Sequence, residues 1–167
     1  MRCQGKPWQR FCMLDAPARS VTNLDNPMSM ECQESAETLQ IRVYYEDTDA
    51  GGVVYYANYL KYFERARTEW LRRLGIDQSL LAQTERRLFV VKNVEIQYRR
   101  PARLDDELSI HTEVTRLGHA SIQFAQRALC AGELLCQASV TVCCVDATSF
   151  RPVDLGPTIK TLLKRAD

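Results

Sequence analysis

Apolar and polar residues alternate with two different periods along this chain, and the change of period locates most of its elements. Leu39 to Tyr45 is an apolar run that predicts a first strand. After an acidic, glycine-closed break, Tyr59, Phe63, Ala66, Trp70 and Leu74 recur at helical spacing, flanked by Leu60, Tyr62 and Leu71. The opposite positions carry Lys61, Glu64, Arg65, Arg67, Glu69 and Arg72, so this helix is expected to bury a wide apolar stripe and to stop near Gly75. Asp77 or Ser79 can open a second, short helix through Gln83. From Leu88 the period becomes two: Val94, Ile96 and Tyr98 alternate with Asn93, Glu95, Gln97 and Arg99. Leu108, Ile110, Thr112 and Val114 repeat the pattern, and so do Ile122, Phe124, Gln126 and Ala128. Leu134 to Val145 is a longer apolar run, as a more buried strand would be. Arg100-Pro101-Ala102 and Leu117-Gly118 supply the breaks, and Thr158 to Arg165 reads as a short closing helix.

A strand, a long helix and four strands with short connections predict antiparallel pairing. The expected architecture is α+β, with a curved five-stranded sheet wrapped around one long central helix. Pairing of two copies would cover the exposed edge strands. Residues 1–38 share none of this periodicity, and they are read as a poorly structured leader before a domain over 39–167. Met28 and Met30 lie just upstream of the first patterned residues, so an over-extended reading frame is one explanation of the leader. Arg2 and Lys6 precede no continuous apolar segment, which argues against a secretory signal.

Composition narrows the function classes. The formal net charge of +1 lacks the basic excess of nucleic-acid binders, and no apolar run approaches a membrane span. Seven cysteines without a Cys-x-x-Cys pair read as free buried thiols of a reducing compartment. Only His111 and His119 are present, without companion ligands at metal spacing, so no zinc site is expected.

The chemistry concentrates in the stretch from Tyr44 to Tyr59, which places Asp47, Asp49, Gly51 and Gly52 between strand and helix. Free N–H groups at a helix start carry partial positive charge, and a carboxylate beside such a donor is minimal equipment for acyl transfer. Asp49 has two chemical roles open to it: attack on a carbonyl carbon, or removal of a proton from water. A turn-forming Asp that bonds its own backbone is the competing reading. Asp47 reads as loop structure or a cap, and Gly51 and Gly52 permit a tight turn and close approach of a ligand.

The run Arg-Val-Tyr-Tyr-Glu-Asp-Thr-Asp-Ala-Gly-Gly-Val-Val-Tyr from Arg42, continued by Tyr-Phe-Glu-Arg-Ala-Arg-Thr-Glu, resembles the signature of the 4-hydroxybenzoyl-CoA thioesterase family of hotdog-fold proteins. More narrowly, together with Pro101-Ala102-Arg103-Leu104-Asp105-Asp106, it resembles that family's Tol–Pal-associated acyl-CoA thioesterases. The resemblance runs from about Leu39 to the C-terminus. It implies hydrolysis of acyl-CoA at a homodimer interface, often within a homotetramer, without metal or organic cofactor. It also implies a cytoplasmic enzyme near the inner membrane, with acyl carrier protein as a further partner.

By that resemblance Asp49 is the catalytic carboxylate, and the Tyr56 backbone N–H polarises the thioester carbonyl from the first helical turn. Many members of the Tol–Pal-associated branch carry His where this chain has Tyr56, which leaves the backbone role intact and the acyl preference open. Gly51, Gly52, Val53, Tyr55 and Tyr59 are expected around the acyl group. Arg116 corresponds to part of a phosphate-contacting basic turn, and Arg99 with Arg100 forms a second candidate rim; a solvated strand end is the bland reading of each. Some hotdog thioesterases use a helix Glu, which makes Glu64 a rival, read here as an ion-pairing surface residue. A hotdog dehydratase would need a His in the helix or loop, and there is none. The alternative of a different class is a non-catalytic, homo-oligomeric acyl-binding adaptor of the Tol–Pal envelope machinery.

Overall fold

The computed structural model describes residues 38–164; the expected leader over 1–38 lies outside the described residues except for Thr38, which opens the first strand. Five strands form one sheet: β1 (Thr38–Arg42), β2 (Arg87–Tyr98), β3 (Glu107–Leu117), β4 (Ser121–Cys130) and β5 (Glu133–Asp146). Their spatial order is β1-β3-β4-β5-β2. Every pairing is antiparallel, as the short connections require. Among the described residues, three α-helices accompany the sheet: α1 (Asn58–Arg73), α2 (Gln78–Thr84) and α3 (Pro157–Lys164). The period-two strands fall where the alternation predicts. Ile122, Phe124, Gln126 and Ala128 all point inward from β4.

β5 lies between β4 and β2, and along it buried residues alternate with half-buried ones, so neither face is fully exposed. Cys143 and Cys144 point to opposite faces of it, Cys144 buried and Cys143 half-buried. Cys130, Cys136, Cys143 and Cys144 are free thiols. Burial pushes the Cys136 thiol up to about 12, so it stays protonated at neutral pH.

α1 lies against β3 and β1, and α2 against β2. Tyr59, Tyr62, Phe63, Ala66, Trp70 and Leu71 form its buried stripe. Each large side chain of that kind, when fully buried, contributes about 1.5–3 kcal/mol. Leu74 and Gly75 end the helix, with Gly75 in the left-handed region that suits a C-terminal stop. Asp77 caps α2 by accepting the N–H groups of Ser79 and Leu80. Those two bonds hold its carboxyl below the usual range.

Three expectations are corrected. The first strand ends at Arg42 rather than Tyr45, because its partner begins opposite, at Glu107. The chain then folds into a 3₁₀ turn over Tyr45–Asp47, where the Asp47 carboxylate accepts the Tyr44 N–H at 2.9 Å. The long helix starts at Asn58, two residues after Tyr56.

The third correction concerns Arg67, which is buried and not on the polar face. It lies four residues after Phe63 and so shares its face. Its Nη1 donates to Gln126 Oε1 at 2.7 Å. Gln126 Nε2 in turn donates to the Phe63 carbonyl and to Thr112 Oγ1, both at 2.9 Å.

Candidate active site

The acidic loop is a small hairpin. Thr48 and Val54 form an antiparallel bridge, and the Asp49 N–H donates to Val53 O at 2.9 Å. The Gly52 N–H returns to Asp49 O at 3.0 Å and closes a tight turn. Gly52 has φ +69°, in the left-handed region that glycine tolerates best. Gly51 suits its position for a different reason. Its N–H donates to Asp49 Oδ1 at 2.8 Å, and a Cβ on it would lie 3.0 Å from that same oxygen. One carboxylate oxygen is therefore fixed by the turn. The other, Oδ2, has no hydrogen-bond partner among the described residues, and Asp49 is exposed. The backbone-bonding reading of Asp49 is thus correct and leaves one oxygen available for chemistry.

Asp47 holds the loop to the helix. Its carbonyl accepts the Tyr55 N–H at 2.8 Å and the Asn58 side-chain amide at 2.9 Å. Asn58 is buried, and its N–H donates to Tyr55 O at 2.8 Å. The Tyr62 hydroxyl is buried close to Asp47 without a hydrogen bond of normal geometry. Burial first, then the Asp47 carboxylate, pushes that phenol up.

With Asn58 N–H turned back to Tyr55, the N–H groups of Tyr56 and Ala57 have no partner among the described residues. The tip of α1 thus offers unpaired donors. The Tyr55 phenol is pushed up, chiefly by the adjacent Tyr56 hydroxyl.

Beside the loop runs a groove of about 230 Å³, lined by Val54, Tyr56, Tyr59, Tyr98, Arg99, Arg100 and Pro101. Its floor is tied to the loop: Val54 N–H donates to Ala102 O at 2.9 Å, Val53 bridges Arg103, and Ala102 N–H donates to the Tyr59 hydroxyl at 3.0 Å. Tyr56, Tyr59, Arg99 and Arg100 meet in this groove, with Asp49, Gly51, Gly52, Val53 and Tyr55 in the adjoining loop. Arg100 also pairs with Glu133.

Arg116 is not brought to this groove. It sits at the far end of β3, nine residues from Glu107, or roughly 30 Å along the strand. Glu64 is also apart: it accepts the Thr68 hydroxyl at 2.8 Å and lines a separate small cavity beside Arg67. Among the described residues, no three His, Cys, Asp or Glu side chains gather as metal ligands would, and no helix is long and apolar enough to cross a membrane.

Sequence reasoning did not single out Asn58 or Tyr98 for the site. Asn58 left one signal, a lone polar residue among aromatics where the helix begins. Tyr98 left none, because it occupies a core-like position in the alternation of β2.

Residues 43–163 match the family model of the Thioesterase-like superfamily, well over half of the chain. The chain belongs to the Thioesterase-like superfamily. Within this superfamily it is 48% identical over 120 residues to the acyl-CoA thioesterase YbgC of Haemophilus influenzae, covering 72% of this chain and 88% of that protein. It is likewise 48% identical over 126 residues to the acyl-CoA thioester hydrolase YbgC of Escherichia coli O157:H7, covering 75% and 93%. Among solved structures, a probable thioesterase from Bartonella henselae superposes with a TM-score of 0.69 at 39% identity, over 71% of this chain and 98% of that one. The superfamily's hotdog fold is the five-stranded, helix-backed sheet described above.

Proposed function

We propose that this chain is an acyl-CoA thioesterase that converts acyl-CoA and water to a free carboxylic acid and CoA. The observation that carries the reading is the loop's economy. The turn holds Asp49 by one oxygen and leaves the other open, in a loop that Asp47 ties to a helix tip whose first N–H groups are unspent. The YbgC relatives, named as acyl-CoA thioesterases, support the substrate class.

In the reaction the thioester oxygen gains negative charge as the carbonyl carbon is attacked. The Tyr56 N–H stabilises that charge. Asp49 either adds to the carbon, expelling the CoA thiolate and leaving a mixed anhydride for water to cleave, or takes a proton from water as the water adds. In both routes the C–S bond breaks and the thiolate takes up a proton. Arg99 and Arg100 at the groove rim suit the phosphates of CoA, and Arg116 joins them only if a second copy supplies it.

β2 supports such an assembly. It is an edge of the sheet, and Val91, Val94 and Tyr98 along it are exposed. A homodimer or homotetramer, a cytoplasmic place by the inner membrane, acyl carrier protein as a partner and the Tol–Pal connection belong to the same proposal and rest on the family likeness.

Hydrolysis of a panel of short, long and aromatic acyl-CoA esters tests the reading, with Asp49→Asn as the control. Turnover that depends on Asp49 supports it, and equal inertness of both proteins across the panel at high enzyme concentration would refute it. In single-turnover hydrolysis in ¹⁸O-water, label found in Asp49 identifies the anhydride route, with water cleaving the anhydride at the Asp49 carbonyl. Gly51→Ala is a second check on the loop. Its new Cβ crowds Asp49 Oδ1, so the carboxylate swings out of line and kcat is expected to fall about tenfold or more while the fold survives.

A further inference from the structure

We propose that Tyr98 is a positioning residue for the donor site at the tip of α1, fixing the Tyr56–Ala57 peptide through its hydroxyl. The inference rests on the thioesterase reading above and deepens it.

The Tyr56 N–H belongs to the peptide whose carbonyl is that of Tyr55, and this carbonyl accepts the Asn58 N–H at 2.8 Å. The next peptide joins the Tyr56 carbonyl to the Ala57 N–H. In a regular helix the Tyr56 carbonyl would accept from residue 60. Here the Leu60 N–H goes to Ala57 O at 3.1 Å. The Tyr56 carbonyl is left to the Tyr98 hydroxyl, which donates to it at 3.0 Å and is its only partner among the described residues.

A carbonyl that accepts a hydrogen bond makes the N–H of its own peptide a stronger donor. Two consecutive unspent N–H groups are therefore each polarised from behind, Tyr56 by Asn58 and Ala57 by Tyr98. The second bond also fixes the plane of the Tyr56–Ala57 peptide, and with it the backbone torsion that aims the Tyr56 N–H.

Tyr98 is itself held in place. Its ring meets Tyr56 edge-on with centroids 6.2 Å apart and Tyr59 at 5.8 Å. Immediately after it, the N–H groups of Arg99 and Arg100 both donate to Leu135 O, at 2.8 and 3.1 Å. The end of β2 is thus pinned to β5, and the hydroxyl has little freedom to leave.

Tyr98→Phe keeps the ring contacts and deletes only the O–H. Steady-state kinetics on the best substrate of the panel should show kcat reduced about tenfold with KM within about twofold, as expected when a transition-state donor is weakened from behind. By NMR, the Ala57 amide proton should move upfield in Tyr98→Phe, a change that lost ring packing alone would not produce. Unchanged kcat, or a raised KM with kcat intact, overturns the inference and makes Tyr98 a groove wall. Asp49→Asn is assayed beside it. If that variant is inactive while Tyr98→Phe turns over normally, the thioesterase reading stands and this inference falls. If Asp49→Asn keeps full activity, the catalytic assignment of Asp49 falls; if the parent protein hydrolyses no ester of the panel, the thioesterase reading itself falls.

Discussion

Asp49→Asn is expected to leave a folded loop and a kcat lower by about 10³-fold. Asn keeps an Oδ1 acceptor, so the bond from the Gly51 N–H survives, and so does the turn closed by Gly52. What disappears is the negative charge on the free oxygen. The substitution therefore separates the two jobs that the sequence assigns to this residue. An Asp that only shapes a turn would tolerate the change with little loss. An Asp that attacks carbon or takes a proton would not, because a neutral amide is a poor nucleophile and a poor base. Initial rates at saturating acyl-CoA, with circular dichroism to confirm the fold, decide between them. A kcat within a few-fold of the parent would end the catalytic assignment.

The second large effect is on stability. Gln126→Leu should cost about 3 kcal/mol, seen as a lower denaturation midpoint in urea at unchanged slope. Gln126 is 1% exposed and answers three groups at once: Arg67, the Phe63 carbonyl and Thr112. Leucine fills the space and strands the Arg67 guanidinium, which burial already disfavours in its charged form. Replacing both residues, Arg67→Met with Gln126→Leu, should recover most of the loss, since no buried charge is then left without an acceptor. A double variant as unstable as the sum of its parts would show that the network contributes through shape alone.

Legibility differed by element, for physical reasons. β3 and β4 can be read directly, because one face of each is buried and period-two alternation records that, and β5 shows as a long apolar run. The loop can be read as an acidic, glycine-closed turn, and the structure has one: Gly51 leaves room beside the Asp49 carboxylate, and Gly52 supplies a left-handed backbone angle. Hydrophobicity does not mark the start of α1. What delays the helix to Asn58 is a set of backbone bonds around Asp47 and Tyr55, and only a buried Asn hints at them. Arg67 was placed on the wet face by its charge, although its spacing from Phe63 puts it inside. Its acceptor, Gln126, lies on a distant strand that local pattern cannot connect to it. Tyr98 was hidden in the opposite way, as an aromatic at a core-like position whose hydroxyl reaches across to the loop.

β2 runs for twelve residues along an open side of the sheet, and Tyr98 is its last member. A neighbour zipped along that side would stiffen the strand and the phenol at its end together. Association would then be felt at the helix tip without any residue of the newcomer entering the groove. Specific activity would rise with protein concentration before it levels off, and diluting the sample would switch off the same ångström-scale alignment that assembly had secured.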